Sequence, residues 1–301
     1  MRADAPARPR RAAPGPARSA ARRRRQVTAS VLTYLAALLL LGFLVAPFLW
    51  LLISSVAPLA DLIQRPLHWI PPHATFQRYA TIFFGADGRD FRFALRNSAL
   101  VAGIATSISL VAGMLGAYAL SRYPSRGRSG LLYVMLATYM TPPVAILLPI
   151  YLMLGRLGLL NSVLGLALVY TSFLTPFLTW ILKGFFDAIP EEMEEAARID
   201  GASRLGSMVR VTLPLSLPGV ITAILFGVIL AWDEFLYALI FTSSTAAKTL
   251  PVAISEFTSR FAVDYGLMAA GGIVAALPPL ILAFALQRYL IAGLTAGGVK
   301  G

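Results

Sequence analysis

The apolar residues of this chain fall in long uninterrupted runs, neither alternating nor confined to one-sided stripes. Gln26–Ala60 carries no charge, and Asn97–Ser121, Ser129–Gly155 and Leu157–Leu182 are equally charge-free. Val211–Trp232 follows, then an uncharged run after Glu234, and Tyr265–Gln287 is the last. A bilayer-crossing helix needs about 20 apolar residues. Barrel strands are about half that length and alternate in polarity. The pattern therefore predicts an all-α, polytopic membrane protein with about six transmembrane helices, near residues 28–55, 95–120, 130–154, 161–184, 214–240 and 266–290. Two long connections remain, 57–94 and 187–213, together with a tail at 1–26.

Composition sharpens the picture. Hydrophobic residues make up 57% of the 301 and charged ones only 13%, too much apolar surface for a soluble domain to hide. The excess of 26 Lys and Arg over 14 Asp and Glu raises the question of nucleic acid. Nine of the arginines, however, lie within residues 1–25. An Arg-, Pro- and Ala-rich tail before a span reads as disordered and cytoplasmic, so no nucleic-acid partner is expected. The first apolar run exceeds the roughly 7–15 residues of a signal-peptide core and reads as an uncleaved span. The absence of cysteine excludes disulfides and thiol chemistry.

Threading six spans from an internal tail puts 18 of the 26 basic residues on the inner side, in the tail, 122–128, 183–210 and the C-terminal end. Both termini are thus expected in the cytoplasm. Connection 57–94 is then external; its Pro66, Pro71, Pro72, Trp69, Phe76 and Tyr79 suit an irregular cap with interfacial aromatics. Connection 187–213 is internal and holds more than a third of the acidic residues.

That internal loop is the most informative stretch. Pro190 fits a helix's first turn, where its missing N–H costs nothing. Glu191, Glu192, Glu194 and Glu195 follow where the helix dipole favours negative charge. Glu194 and Arg198 stand i,i+4 and can pair. Gly201 suits a left-handed C-cap, and Ser203 can cap a second short helix through Leu205, Met208 and Val209 that stops before Pro214. Ile189, Met193, Ala196 and Ala197 recur at helical spacing, and small residues there let another surface approach. Such a helix either lies at the membrane interface or docks on protein. An interfacial helix carries basic residues toward anionic lipid; the acidic first half favours docking.

The string Glu195-Ala-Ala-x-x-x-Gly201, nine residues, then Val211-x-Leu213-Pro214 resembles the cytoplasmic EAA motif of permease subunits of ATP-binding cassette importers, with Val211 where isoleucine is usual. Leu157-Gly-Leu-Leu-Asn161, Gly184-Phe-Phe, Trp232-Asp-Glu-Phe235 and the end from Gln287-Arg-Tyr to Gly301 resemble the maltose-transporter MalG type of carbohydrate importer. The likeness spans roughly residues 28–301. It implies that the loop is a coupling helix between spans four and five that inserts into a separate ATPase subunit. Glu194, Glu195, Ala196, Ala197, Asp200, Gly201, Leu213 and Pro214 would be its coupling residues. It further implies a second homologous permease, an ATPase dimer carrying ATP and Mg, an extracytoplasmic sugar-binding protein, and residence among the lipids of a bacterial cytoplasmic (inner) membrane. No cofactor is expected in this chain, and no enzyme activity.

The residues themselves bear on that last point. There is no G-x-x-x-x-G-K-[ST] phosphate loop; the nearest string, Ser243–Thr249, lacks both glycines. His68 and His73, the only histidines, have two prolines between them and read as loop residues, not a metal pair. Trp232, Asp233 and Glu234 are candidates for the solute path or a gate, because intramembrane acids are costly and functional by default. These acids line the path, pair with a neighbouring subunit or reach the outer interface. The family more often has asparagine where Asp233 stands. Prolines 142, 143, 149, 176, 218, 278 and 279 within spans read as kinks or packing features, and Gly103, Gly113 and Gly116 as close helix contacts.

Two functions of different class remain. One is a membrane permease of a binding-protein-dependent ATP-binding cassette importer that carries a di- or oligosaccharide by alternating access. The other is a self-contained secondary transporter or channel, for which internal repeats and buried charges in several spans would be expected. Only Asp233–Glu234 stand out as such charges.

Overall fold

The computed structural model describes residues 16–64, 69–85, 88–123, 127–258 and 264–298. Residues 1–15 of the tail, Arg65, Pro66, His68, Arg260 and the last three residues lie outside that set. In chain order the helices are α1 (Pro16–Val56), α2 (Leu59–Ile63), α3 (Gln77–Phe84), α4 (Gly88–Arg122), α5 (Arg128–Tyr139), α6 (Pro143–Arg156) and α7 (Val163–Asp187). They continue with α8 (Glu191–Ile199), α9 (Arg204–Ser207), a π turn (Met208–Thr212), α10 (Leu213–Leu215), α11 (Leu217–Trp232), α12 (Leu236–Phe241), α13 (Leu250–Ser255) and α14 (Tyr265–Gly298).

The chain is all-α among its described residues, and four helices are long and apolar enough to cross a membrane: Val27–Val56 in α1, then α4, α7, and Tyr265–Tyr289 in α14. Two bent pairs raise the number to six. Gly130–Tyr139 and Pro143–Arg156 meet at 87°, and Arg204–Leu215 and Leu217–Trp232 at 82°. The third run, expected as one helix, is therefore broken. Pro142 stands extended (φ −57°, ψ 125°) ahead of Pro143, because a residue before proline is driven out of the α region. The fifth run divides as well: α11 ends at Trp232, and α12 starts beyond a break at residues 233–235.

Residues up to Leu51 form one compact unit and Leu52 onward another. In the first, α1 begins at Pro16, so the second half of the tail expected to be disordered is helical. Alanine and arginine, which dominate it, are strong helix formers and extend the span behind them. Side chains from Val27 to Leu49 are exposed and almost wholly apolar, a surface suited to lipid.

The second unit is built on α4 and α7, which run parallel. Gly113 and Gly116 let α4 approach α7, where a Cβ on either would meet Thr179 at 3.3–3.4 Å. Gly103, expected to make a similar contact, has nothing within 4 Å of its Cβ position, since it lies on the exposed side of α4. At one end of the unit, Ser121 of α4 donates to Asp187 of α7 at 2.6 Å. At the other, Asn97 donates to the carbonyls of Thr245 and Lys248 at 2.9 and 3.0 Å. Asn161 accepts from the N–H groups of Ser243 and Ser244 at 3.0 Å each. Connection 242–249 is thus pinned opposite the acidic loop, the sidedness that alternating spans require.

Candidate functional site

The acidic loop folds as helix, glycine, helix. Pro190 is the N-cap of α8, extended at ψ 134°, and Glu191, Glu192 and Glu194 occupy the first turn. Asp200 caps the other end. Gly201 follows at φ +90°, a conformation that glycine alone adopts without steric cost. Its N–H donates to Arg198 O at 3.0 Å and that of Ala202 to Ala197 O at 3.0 Å, the paired bonds of a Schellman cap. Ser203 caps α9 by accepting from Gly206 N at 3.1 Å. The second helix, expected to stop before Pro214, instead runs on through the π turn and α10 to Leu215. The wider turn spans the position where Pro214 has no N–H to offer.

Glu194 is the one buried residue of α8, 5% exposed. Three side chains donate to its carboxylate: Tyr118 Oη at 2.7 Å, Arg122 Nε at 2.7 Å and Thr212 Oγ1. Its expected partner at i,i+4, Arg198, is exposed, and Glu194 turns instead to α4. Arg122 also donates to Ile189 O and to Ser121 Oγ, both at 3.0 Å. Burial opposes the charge on Glu194, but the donors Thr212, Arg122 and Tyr118, together with the Arg122 charge, outweigh it and hold the carboxyl below its ordinary range.

The remaining expected coupling residues divide by face. Glu195, Ala196, Asp200 and Gly201 are exposed, and Ala197 is half-buried. Beside them Met193, Ile199, Leu205 and Val209 present large apolar side chains, Ile199 being 86% exposed. Leu213 packs against the cluster of Ala117, Tyr118, Leu178, Leu182, Phe186 and Met208, while Pro214 is exposed. The result is an exposed acidic–apolar ridge of small residues, held from beneath by one carboxylate. Sequence reasoning missed Tyr118, Arg122, Thr212 and Ser121. Only Arg122 gave any signal, as a cation ending a charge-free run.

The acids of the fifth run also separate. Glu234 accepts from the N–H groups of Tyr237 and Ala238 at 2.9 and 3.2 Å and from Tyr170 Oη at 2.5 Å. It therefore caps α12 and ties it to α7. Trp232 is buried and donates from Nε1 to Ala275 O of α14 at 3.0 Å. Of the three expected path or gate residues, Asp233 alone is exposed. At that same end a cleft of about 330 Å³ is lined by Arg89, Phe93, Arg96, Asn97, Ser244, Thr245 and Ala246. Among the described residues no group of three or more His, Asp or Glu could hold a metal ion.

Two bent helix pairs beside two long apolar helices, with an exposed acidic helix at one end, suit a polytopic membrane protein. Residues 108–295, more than half the chain, match the family model of the binding-protein-dependent transport system inner membrane component. The chain belongs to that family. It is 37% identical over 270 residues to the sulfoquinovosyl glycerol transport system permease protein SmoH of Agrobacterium fabrum, covering 90% of this chain and 94% of that one. It is 30% identical over 279 residues to the trehalose/maltose transport system permease protein MalG of Thermococcus litoralis, with 92% and 99% covered. Its fold is similar, at TM-score 0.71 and 22% identity, to a chain of a bacterial transporter involved in import of the acidic polysaccharide alginate, with 87% and 97% covered.

Proposed function

We propose that this chain is the membrane-spanning permease subunit of an ATP-binding cassette importer for a di- or oligosaccharide. ATP, with Mg, is hydrolysed on a separate ATPase dimer. That dimer docks on the ridge of Glu195, Ala196, Ala197, Asp200 and Gly201, with Leu213 and Pro214 closing the loop behind it. A second, homologous permease completes the path, and a sugar-binding protein delivers cargo to the opposite end. Both termini and α8 then face the cytoplasm.

The observation that carries this reading is the division of α8 into one buried anchor, Glu194, and an exposed ridge. A helix meant only to lie on lipid would turn its apolar residues one way and basic residues the other. Here Met193 and Ile199 are exposed beside Glu191, Glu192 and Glu195, a mixed surface suited to a protein groove. The relatives support a sugar cargo, since the two proteins above are named for transport of sulfoquinovosyl glycerol and of trehalose and maltose.

The test is uptake into proteoliposomes containing this chain, its second permease and the ATPase, with binding protein and radiolabelled trehalose or maltose outside. Accumulation that requires both enclosed ATP and the ATPase is expected. Uptake by this chain alone, driven by an ion gradient, would make it a self-contained secondary transporter.

A further inference from the structure

In sequence α8 lies between α7 and α11, so the covalent chain would pass any movement of α8 into those two helices. The covalent joints are short: residues 188–190 on one side, and on the other Gly201, with φ +90° and open space around its Cβ position. Sideways α8 is attached through side chains as well. Glu194 receives Arg122 and Tyr118 from the last turn of α4, and Thr212 from the π turn. The ion-paired side chains of Arg122 and Glu194 are only 8% and 6% exposed. Arg122 holds the entry to α8 as well, through Ile189 O. A buried, fully hydrogen-bonded pair cannot slide without leaving an uncompensated charge in a dry site.

We propose that the Arg122–Glu194 pair is the joint through which α8 moves α4 directly, so that a span remote from α8 in sequence responds to the ATPase together with the π turn that carries Thr212. This rests on the reading of α8 as the docking helix. Glu194 is then a positioning residue: it touches neither ATP nor cargo, and it fixes the angle between the docking ridge and α4. From α4 the displacement passes to α7 through Gly113 and Gly116 against Thr179, and to α11 where Gly227 faces Thr106.

The chain has no cysteine, so paired spin labels at Glu192→Cys and Ala119→Cys, both exposed positions, report on the joint directly. In the assembled transporter in nanodiscs, one narrow separation is expected by pulsed electron resonance, the same without nucleotide and with a non-hydrolysable ATP analogue. A separation that changes between those states overturns the joint. In a second measurement, Glu194→Gln should lower the sugar moved per ATP hydrolysed by about tenfold, within the usual span of coupling effects, and Glu194→Asp should restore part of it. A wild-type ratio in Glu194→Gln overturns the proposal. Should that variant fail to assemble, the label pair in the unmutated tie decides. An ATPase that does not bind the unmutated chain removes the docking reading itself and this inference with it, a failure distinguishable from an unchanged ratio.

Discussion

Two adjacent pairs of acids, Glu194–Glu195 and Asp233–Glu234, are handled alike at opposite ends of the molecule. In each, one carboxylate turns inward and is saturated by donors, while its neighbour faces out. The means differ. Glu194 is balanced by a guanidinium and two hydroxyls from other elements. Glu234 has no cation in its set and is held by two backbone N–H groups of α12 and the Tyr170 hydroxyl. The inward acid fixes a helix in place, and the outward one is free for a partner or solute. Proximity in sequence therefore says little about shared role: consecutive residues face about 100° apart in a helix such as α8, and Asp233 and Glu234 part in the break between α11 and α12.

Breaking the first set should have the largest effect. Arg122→Ala leaves Glu194 buried without its cation and is expected to cost about 3–5 kcal/mol, read as a lowered thermal unfolding transition in detergent. The same site sets a pH dependence. The pKa of Glu194 is held below its ordinary value in the fold, so its contribution is fully present above the unfolded-state pKa and is lost as pH falls through the folded one. Unfolding followed from neutral pH into the acid range should show that loss in the wild type and a shallower one in Glu194→Gln.

The second set is expected to respond less. Glu234→Gln keeps the shape but replaces one acceptor oxygen with a donor facing N–H or O–H groups, at a cost of about 1–3 kcal/mol. Hydrogen exchange of the α12 amides should rise with it. Gly201→Ala meets no atom within 4 Å, so its cost is the left-handed backbone alone, about 1 kcal/mol. Asp233→Asn should leave stability within about 0.5 kcal/mol. A large loss there would mean that the exposed acid has a structural partner after all, and the contrast within that pair would collapse.

The parts of this architecture legible in sequence are those governed by local rules. Pro190, Gly201 and Ser203 mark helix ends through backbone geometry, and each occupies such a place. The apolar runs fall on the four helices long and apolar enough to cross a membrane and on the two bent pairs. What escaped is set by distance along the chain. Arg122 and Glu194 are 72 residues apart, Tyr170 and Glu234 64, and Asn97 and Thr245 148. Local spacing offers Glu194 only Arg198, the one basic residue of α8, and says nothing of a cation on another helix. An intramembrane acid such as Glu234 announces polarity but not the direction in which it points, and the fold turns it toward Tyr170 and the α12 amides. The 87° break in the third run lay hidden for a related reason: prolines 142 and 143 mark a helix interruption, and packing alone decides whether the chain then bends or continues.

The central claim is that the outward face of α8, not its buried anchor, receives the motor subunit. The most direct measurement is the affinity of the partner ATPase for the detergent-solubilised permease pair carrying Glu195→Lys with Gly201→Trp in this chain. Both sites are exposed, so the unfolding transition should change far less than in Arg122→Ala, while ATPase binding weakens at least about tenfold, a loss of about 1.4 kcal/mol. Wild-type affinity in that double variant would contradict the assignment of the ridge.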